Sequence, residues 1–150
     1  MKTRKMMMTI LGMMMAGILA GCGITSMAST EETKGVIGYI GNEDDQEFAR
    51  GIEEEAAAEG YACVISEGEG NRMMECIDIL EKGADVIVLT SSEEEQETQK
   101  LIEAAHDNNV DVVLKTTEKS GTDYDKLVGQ EGSEGGNTAA VCAIDLMEGK

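Results

Sequence analysis

The segment Gly83-Ala84-Asp85-Val86-Ile87-Val88-Leu89-Thr90-Ser91-Ser92 decides the predicted fold. Its four consecutive aliphatic residues, without alternation, are typical of a strand covered on both faces, as in a parallel sheet. Ser92 and Glu95 have the spacing of a capping box, which predicts that a helix begins directly after the strand. Thr90, Ser91 and Ser92 are therefore placed at the carboxyl end of a buried strand, where ligands bind in open α/β sheets.

Strand patterns recur at a nearly constant interval along the chain. They begin at Val36, Tyr61, Val86 and Val110, at spacings of 25, 25 and 24 residues, with a helical pattern between each pair. This alternation predicts an α/β fold with a doubly wound parallel sheet in three α/β/α layers. A short fifth strand is expected at residues 127–128, and the expected strand order is 2-1-3-4-5. The helix after the second strand is predicted to bury four apolar residues: Met73, Met74, Ile77 and Leu80.

Charge and composition exclude several classes of function. The 30 acidic residues against 12 Lys and Arg give a net charge of -18, which repels the phosphates of nucleic acids. There is no Trp and one Phe, so few side chains can stack on bases. His106 is the single histidine and is predicted to lie far from the ligand edge, so no catalytic triad or two-histidine metal site can be assembled. We predict a protein that is not an enzyme, holds no metal or cofactor and does not bind nucleic acid.

The first residues have the pattern of a leader. Lys2, Arg4 and Lys5 form a basic region, and residues 6–20 are apolar but too few for a comfortable membrane span. The motif Leu19-Ala20-Gly21-Cys22 resembles the lipobox of bacterial lipoproteins. The resemblance implies cleavage before Cys22 and attachment of lipid to that cysteine, whereas the alternative is an ordinary signal peptide with an incidental cysteine.

The leader pattern and the strand pattern together divide the chain into three regions. They are a lipoprotein signal peptide at 1–21, a lipidated cysteine with a flexible tether at 22–34, and a folded lobe at 35–150. The lobe is expected at the extracytoplasmic face of the cell membrane, held there by the lipid. Its three cysteines have no C-x-x-C spacing and are predicted to be buried free thiols: Cys63, Cys76 and Cys142.

The predicted topology gathers polar loops at one edge of the sheet. The candidate ligand-binding residues are Asn42, Glu43, Asp44, Asp45, Thr90, Ser91, Ser92, Lys115, Thr116, Thr117, Gln130 and Glu131. The acids at 43–45 either bind a cation or ligand hydroxyls, or they stabilise a helix amino end. The hydroxyls at 90–92 either form a ligand site or cap a helix. Lys115, predicted as the only basic group at this edge, either pairs with a ligand carboxylate or moderates an acidic surface.

Three longer segments occur in a characteristic order between residues 35 and 150. They are Gly51–Tyr61, Ile79–Leu89 and Val128–Gly136. Together they resemble the amino-terminal lobe of the type I periplasmic binding proteins, in particular the sugar-binding group. With the lipobox, this resemblance implies the lipid-anchored solute-binding component of an ABC-type importer, with a permease as partner and a sugar or other small polar ligand. The alternative hypothesis is a ligand-sensing or interaction module coupled to a membrane signalling partner.

Two departures from that family bear on the ligand. Asn42-Glu43-Asp44-Asp45 stands where the family often has Asn-Pro-Phe-Phe, and Thr116-Thr117 replaces its Asp-Arg. These differences point away from an ordinary hexose or pentose, toward a more cationic or polar ligand or none. Because the family has two domain-sized lobes, the resemblance also implies that this sequence is one lobe: a fragment, a truncated gene product or a stand-alone lobe.

Overall fold

Helices and strands alternate along most of the computed structural model, which describes residues 33–66 and 70–149 apart from the side chain of Glu43. The strands are β1 (Val36–Ile40), β2 (Ala62–Ser66), β3 (Val86–Thr90), β4 (Asp111–Lys115) and β5 (Lys126–Val128). The helices are α1 (Gln46–Glu59), α2 (Arg72–Glu81), α3 (Glu95–Asp107) and α4 (Gly132–Glu148), and a 3-10 turn at Glu43–Asp45 precedes α1. The predicted signal peptide, Cys22 and nearly all of the tether lie outside the described residues.

The five strands form one sheet in the order β2-β1-β3-β4-β5, which confirms the predicted order. Each neighbouring pair is parallel, and β3 at the centre pairs with both β1 and β4. Every residue of β3 is buried, as its uninterrupted aliphatic run predicts. The predicted fold class, an α/β protein with helices on both faces of a parallel sheet, is therefore confirmed.

Alternating side chains of β1 to β4 enter two separate cores, and β5 contributes Val128 to one of them. On one face, Ile37 and Tyr39 of β1 and Val88 of β3 pack against α1 and α4. On the other face, Ile40 and Leu89 pack against α2 and α3. The carboxyl ends of all five strands consequently meet at one edge, and the loops that follow them lie side by side there.

Helices α1 and α4 approach each other closely through glycines. A Cβ at Gly136 would clash with the main-chain carbonyl oxygen of Phe48 and would lie 3.0 Å from the Cα of Gly51. A Cβ at Gly51 would in turn clash with the carbonyl oxygen of Ser133. Glycine is thus required at both positions where the two backbones cross.

The buried face of α2 differs from the prediction. Cys76 and Ile79 are buried, whereas Met74 is 65% and Ile77 43% exposed, so the predicted stripe was wrong for these two residues. The physical reason is Gly38 in β1, which leaves a space that Ile79 fills, as a Cβ at Gly38 would clash with the Ile79 side chain. Packing over this glycine sets the rotation of the helix.

The start of α3 also differs from the prediction. The helix begins at Glu95 with Glu94 as its N-cap, so the predicted capping box of Ser92 and Glu95 is not formed. Instead, Ser92 Oγ donates to the Glu94 carbonyl oxygen at 2.7 Å, and the Ser92 amide donates to Thr98 Oγ1 at 3.0 Å. The connection between β3 and α3 is thus two residues longer than predicted, and the buried Thr98 hydroxyl holds it through Ser92. β2 and β4 each begin one residue later than predicted.

None of the helices within the described ranges is both long and apolar enough to cross a membrane.

Candidate functional site

A cleft of about 400 Å³ lies at the carboxyl edge of the sheet. It is lined by Asn42, Asp44, Asp45, Thr90, Ser91, Ser92, Glu93, Lys115, Thr116, Thr117, Glu118 and Glu131. Ten of these are residues predicted from the sequence, and Glu93 and Glu118 were missed. The side chain of Glu43 lies outside the described part of the chain. That a ligand binds in the cleft stays a prediction.

Gln130 does not line this cleft. Its Oε1 accepts a hydrogen bond from Thr138 Oγ1 of α4 at 2.8 Å, so the side chain is turned toward that helix. The structure therefore does not bring Gln130 together with the other predicted residues. The reason is local, since Thr138 lies one helical turn beyond Glu134 and reaches the segment just before α4.

The floor of the cleft is an ion pair between Asp45 and Lys115, here called the floor pair. Lys115 Nζ lies 2.9 Å from Asp45 Oδ1, and the two side chains are only 8% and 15% exposed. The ammonium group also lies 5.0 Å from the centroid of the Phe48 ring, a cation–π distance. The positive charge is thus held between a carboxylate and an aromatic face.

The second oxygen of Asp45 is held by two hydroxyl groups. Thr90 Oγ1 donates to Asp45 Oδ2 at 3.2 Å and Tyr39 OH donates to it at 3.3 Å, while the two hydroxyls lie 3.1 Å apart. Partial burial acts to raise the pKa of Asp45, but the hydrogen bond and charge of Lys115, with weaker hydrogen bonds from Asn42 and Thr90, outweigh it, and the pKa is lowered. Burial raises the pKa of the Tyr39 phenol, which therefore remains a donor.

The lowered pKa of Asp45 makes a prediction about acid stability. The carboxylate contributes stability that is present above its unfolded pKa of about 3.9 and is lost as the pH falls through its lower folded pKa. We expect the difference in unfolding free energy between the protein and Asp45→Asn to be constant near neutral pH and to shrink below about pH 4. Urea unfolding across this range measures it, and a difference that grows on acidification would contradict it.

Arg72 is a second basic residue at this edge, so the prediction that Lys115 is the only one was wrong. It is the first residue of α2, and its guanidinium donates to the main-chain carbonyl oxygens of Ile40, at 3.4 Å, and of Thr90. Burial lowers its pKa, against the opposing charges of Glu97 and Glu75. The sequence could have indicated Arg72 only through its position at the start of the helix after β2. In the predicted topology, that helix begins at the same edge of the sheet as the other loops.

The open side of the cleft carries four exposed acidic side chains, here called the rim carboxylates: Asp44, Glu93, Glu118 and Glu131. The floor pair is neutral as a whole, so the rim carboxylates determine the net charge of the cleft. Ser91, Ser92 and Thr116 lie between floor and rim and are half-buried. The cleft thus has a neutral, hydrogen-bonding floor and a negative opening.

His106 lies away from the cleft, as predicted. Its Nε2 is 2.8 Å from Asp125 Oδ2, and the same carboxylate oxygen accepts the Val112 amide at 2.7 Å. This contact joins the loop before β5 to α3. Within the described residues, no group of three or more His, Cys, Asp or Glu side chains is arranged to hold a metal ion.

The fold is similar to that of an ABC transporter solute-binding protein from Mycobacterium smegmatis, whose structure contains bound glycerol. The TM-score is 0.55 with 18% sequence identity, and the match covers 64% of this chain and 35% of that protein. This chain therefore spans well under half of that protein's length. No protein-family model matches the sequence, and no curated protein matches it significantly.

The similarity defines the class of fold. A five-strand parallel sheet flanked by helices matches a single lobe of a periplasmic-binding-protein fold. At 18% identity the likeness is evidence for the fold, and function has to be argued from the cleft itself.

Proposed function

We propose that this chain is a solute-binding lobe, the substrate-binding component of an ABC-type importer, and that it takes a sugar or another small polar ligand in the cleft. One observation carries the proposal. Polar side chains from the ends of β1, β3 and β4 converge on a single cleft at the edge where open α/β sheets bind ligands. A membrane permease is the proposed partner.

A binding role, rather than catalysis, is supported by the state of the nucleophilic groups. All three cysteines of the lobe are free, but only Cys76 is buried as predicted, whereas Cys63 and Cys142 are half-buried, so the prediction of burial was wrong for these two. Desolvation and the charge of Glu53 raise the pKa of Cys63 to about 12, and desolvation also raises the pKa of the thiols of Cys76 and Cys142. Thiols in this state are protonated near neutral pH and react poorly. The lone His106 is engaged by Asp125 outside the cleft.

The binding proposal is tested by nuclear magnetic resonance titration of the full chain in detergent with small polyols and sugars. One lobe forms one wall of a cleft that two lobes would close, so we expect weak binding, in the millimolar range. The amide signals of Thr90, Ser91, Lys115 and Thr116 should shift together, while those of α3 near His106 remain unchanged. Absence of any localised shift across a broad panel of polar solutes would contradict the proposal.

We further propose that Cys22 is lipidated and that the lobe is held at the extracytoplasmic face of the cell membrane. The lipobox-like motif before Cys22 supports this. In a bacterial host fed labelled palmitate, the chain should incorporate label and fractionate with membranes. Cys22→Ser should lose the label, whereas the matched variant Cys142→Ser should keep it. Equal labelling of both variants would contradict lipidation at Cys22.

A further inference from the structure

The charge distribution in the cleft points to a particular class of ligand. We propose that the ligand is a small hydroxyl-bearing cation, such as an amino polyol, bound with a hydroxyl on the floor pair and its ammonium group among the rim carboxylates. This inference rests on the proposed function of the cleft as a solute site. The cleft would then distinguish hydroxyl-bearing cations from neutral and anionic solutes.

The floor of the cleft suits a ligand hydroxyl better than a ligand carboxylate. The side chain of Lys115 is more than nine-tenths buried and lines the cleft, and its ammonium group has three N–H donors. Among the described residues, Asp45 is the one side chain that accepts a hydrogen bond from it. A ligand hydroxyl can accept one of the remaining donors and donate to an Asp45 oxygen. A ligand carboxylate fits less well, because it would lie against the Asp45 carboxylate, which is kept ionised by its lowered pKa.

The rim of the cleft favours a positive charge on the ligand. The rim carboxylates are exposed and border the same cleft. Of the described residues that line it, Lys115 alone is basic, and its charge is already balanced by Asp45. Each exposed ion pair is weak, but several carboxylates around one ammonium group act together. A neutral sugar would leave this negative opening unused, and an anion would be repelled from it.

The ligand class is tested with three probes of related structure on the full chain in detergent. Glucamine carries hydroxyls and an ammonium group, sorbitol replaces the ammonium by a hydroxyl, and butylamine keeps the cation without hydroxyls. We expect glucamine to bind about tenfold more tightly than sorbitol or butylamine in the nuclear magnetic resonance titration. This preference should weaken as salt is added, because exposed charges are screened.

Matched variants separate the cleft from the general acidity of the chain. Glu118→Gln with Glu131→Gln should remove most of the preference for glucamine over sorbitol. Glu53→Gln with Glu81→Gln changes the net charge equally at exposed helix positions and should leave the preference intact.

The outcomes distinguish this inference from the proposed function. Equal binding of glucamine and sorbitol would overturn the inference and leave the solute site standing. Butylamine binding as tightly as glucamine would overturn the role of the floor pair. An equal effect of both double variants would show only a general electrostatic attraction and would also overturn it. If none of the probes binds at the cleft, and no other polar solute does, the inference falls together with the proposed function.

Discussion

Replacing Lys115 by Met should destabilise the protein by about 3 kcal/mol, because it removes one partner of a largely buried ion pair. Asp45 is 15% exposed and would keep its two hydroxyl donors but lose Lys115, the one cation that the described residues place within hydrogen-bond distance of its oxygens. An uncompensated carboxylate in this position either remains charged at a high cost or takes up a proton. Urea unfolding followed by circular dichroism measures the loss.

Two further variants show whether the cost comes from the unpaired charge. The double variant Asp45→Asn with Lys115→Met should recover to within about 1 kcal/mol of the unmodified protein, because a neutral amide can still accept from Thr90. Lys82→Met removes the exposed pair with Asp78, whose side chains are 55% and 59% exposed, and should cost about 0.5 kcal/mol or less. Equal losses for Lys115→Met and Lys82→Met would show that Asp45 is hydrated like a surface carboxylate.

Replacing Gly136 by Ala should destabilise the protein by about 3 kcal/mol or prevent folding. The added methyl group would meet main-chain atoms of α1, including the Phe48 carbonyl oxygen, and a backbone carbonyl cannot rotate away as a flexible side chain can. Helix propensity alone predicts the opposite sign, since Ala stabilises a helix interior by about 1 kcal/mol relative to Gly. The sign of the measured change therefore decides which effect dominates.

Gly70→Ala is the matched control for this prediction. A Cβ at Gly70 would have no atom of the described residues within 4 Å, so the same chemical change should be close to neutral there. Thermal unfolding of both variants gives the comparison even if Gly136→Ala is only partly folded. A Gly136→Ala protein that is more stable than its parent would show that α1 and α4 are not in such close contact.

The strand positions and the sheet order follow directly from the sequence. The regular interval between apolar runs specifies βαβ units, and right-handed crossovers leave few topologies to choose from. The uninterrupted aliphatic run of β3 indicates burial on both faces, and all five of its residues are buried. This topology places the loops after β1, β3 and β4 at one edge of the sheet. Most residues that line the cleft can therefore be predicted from the topology.

The features that the sequence did not predict depend on contacts between distant residues. The rotation of α2 follows from Ile79 filling the space above Gly38, 41 positions away in the chain. Arg72 belongs to the cleft edge because the start of α2 lies beside the ends of β1 and β3. The pairing of Asp45 with Lys115 joins residues 70 positions apart, and no local pattern distinguishes a carboxylate that binds a ligand from one that is held by a buried lysine.

The crossing of α1 and α4 has a consequence for how the chain is made. These are the first and last helices of the lobe, so on one face of the sheet Phe48 and Ile52 are synthesised long before Ala140 and Ile144, which cover them. During vectorial synthesis, this face remains open until the final helix has left the ribosomal exit tunnel. A nascent chain from which α4 has not yet emerged therefore carries an uncovered apolar surface on this face, and the core between α1 and α4 forms only once α4 is available.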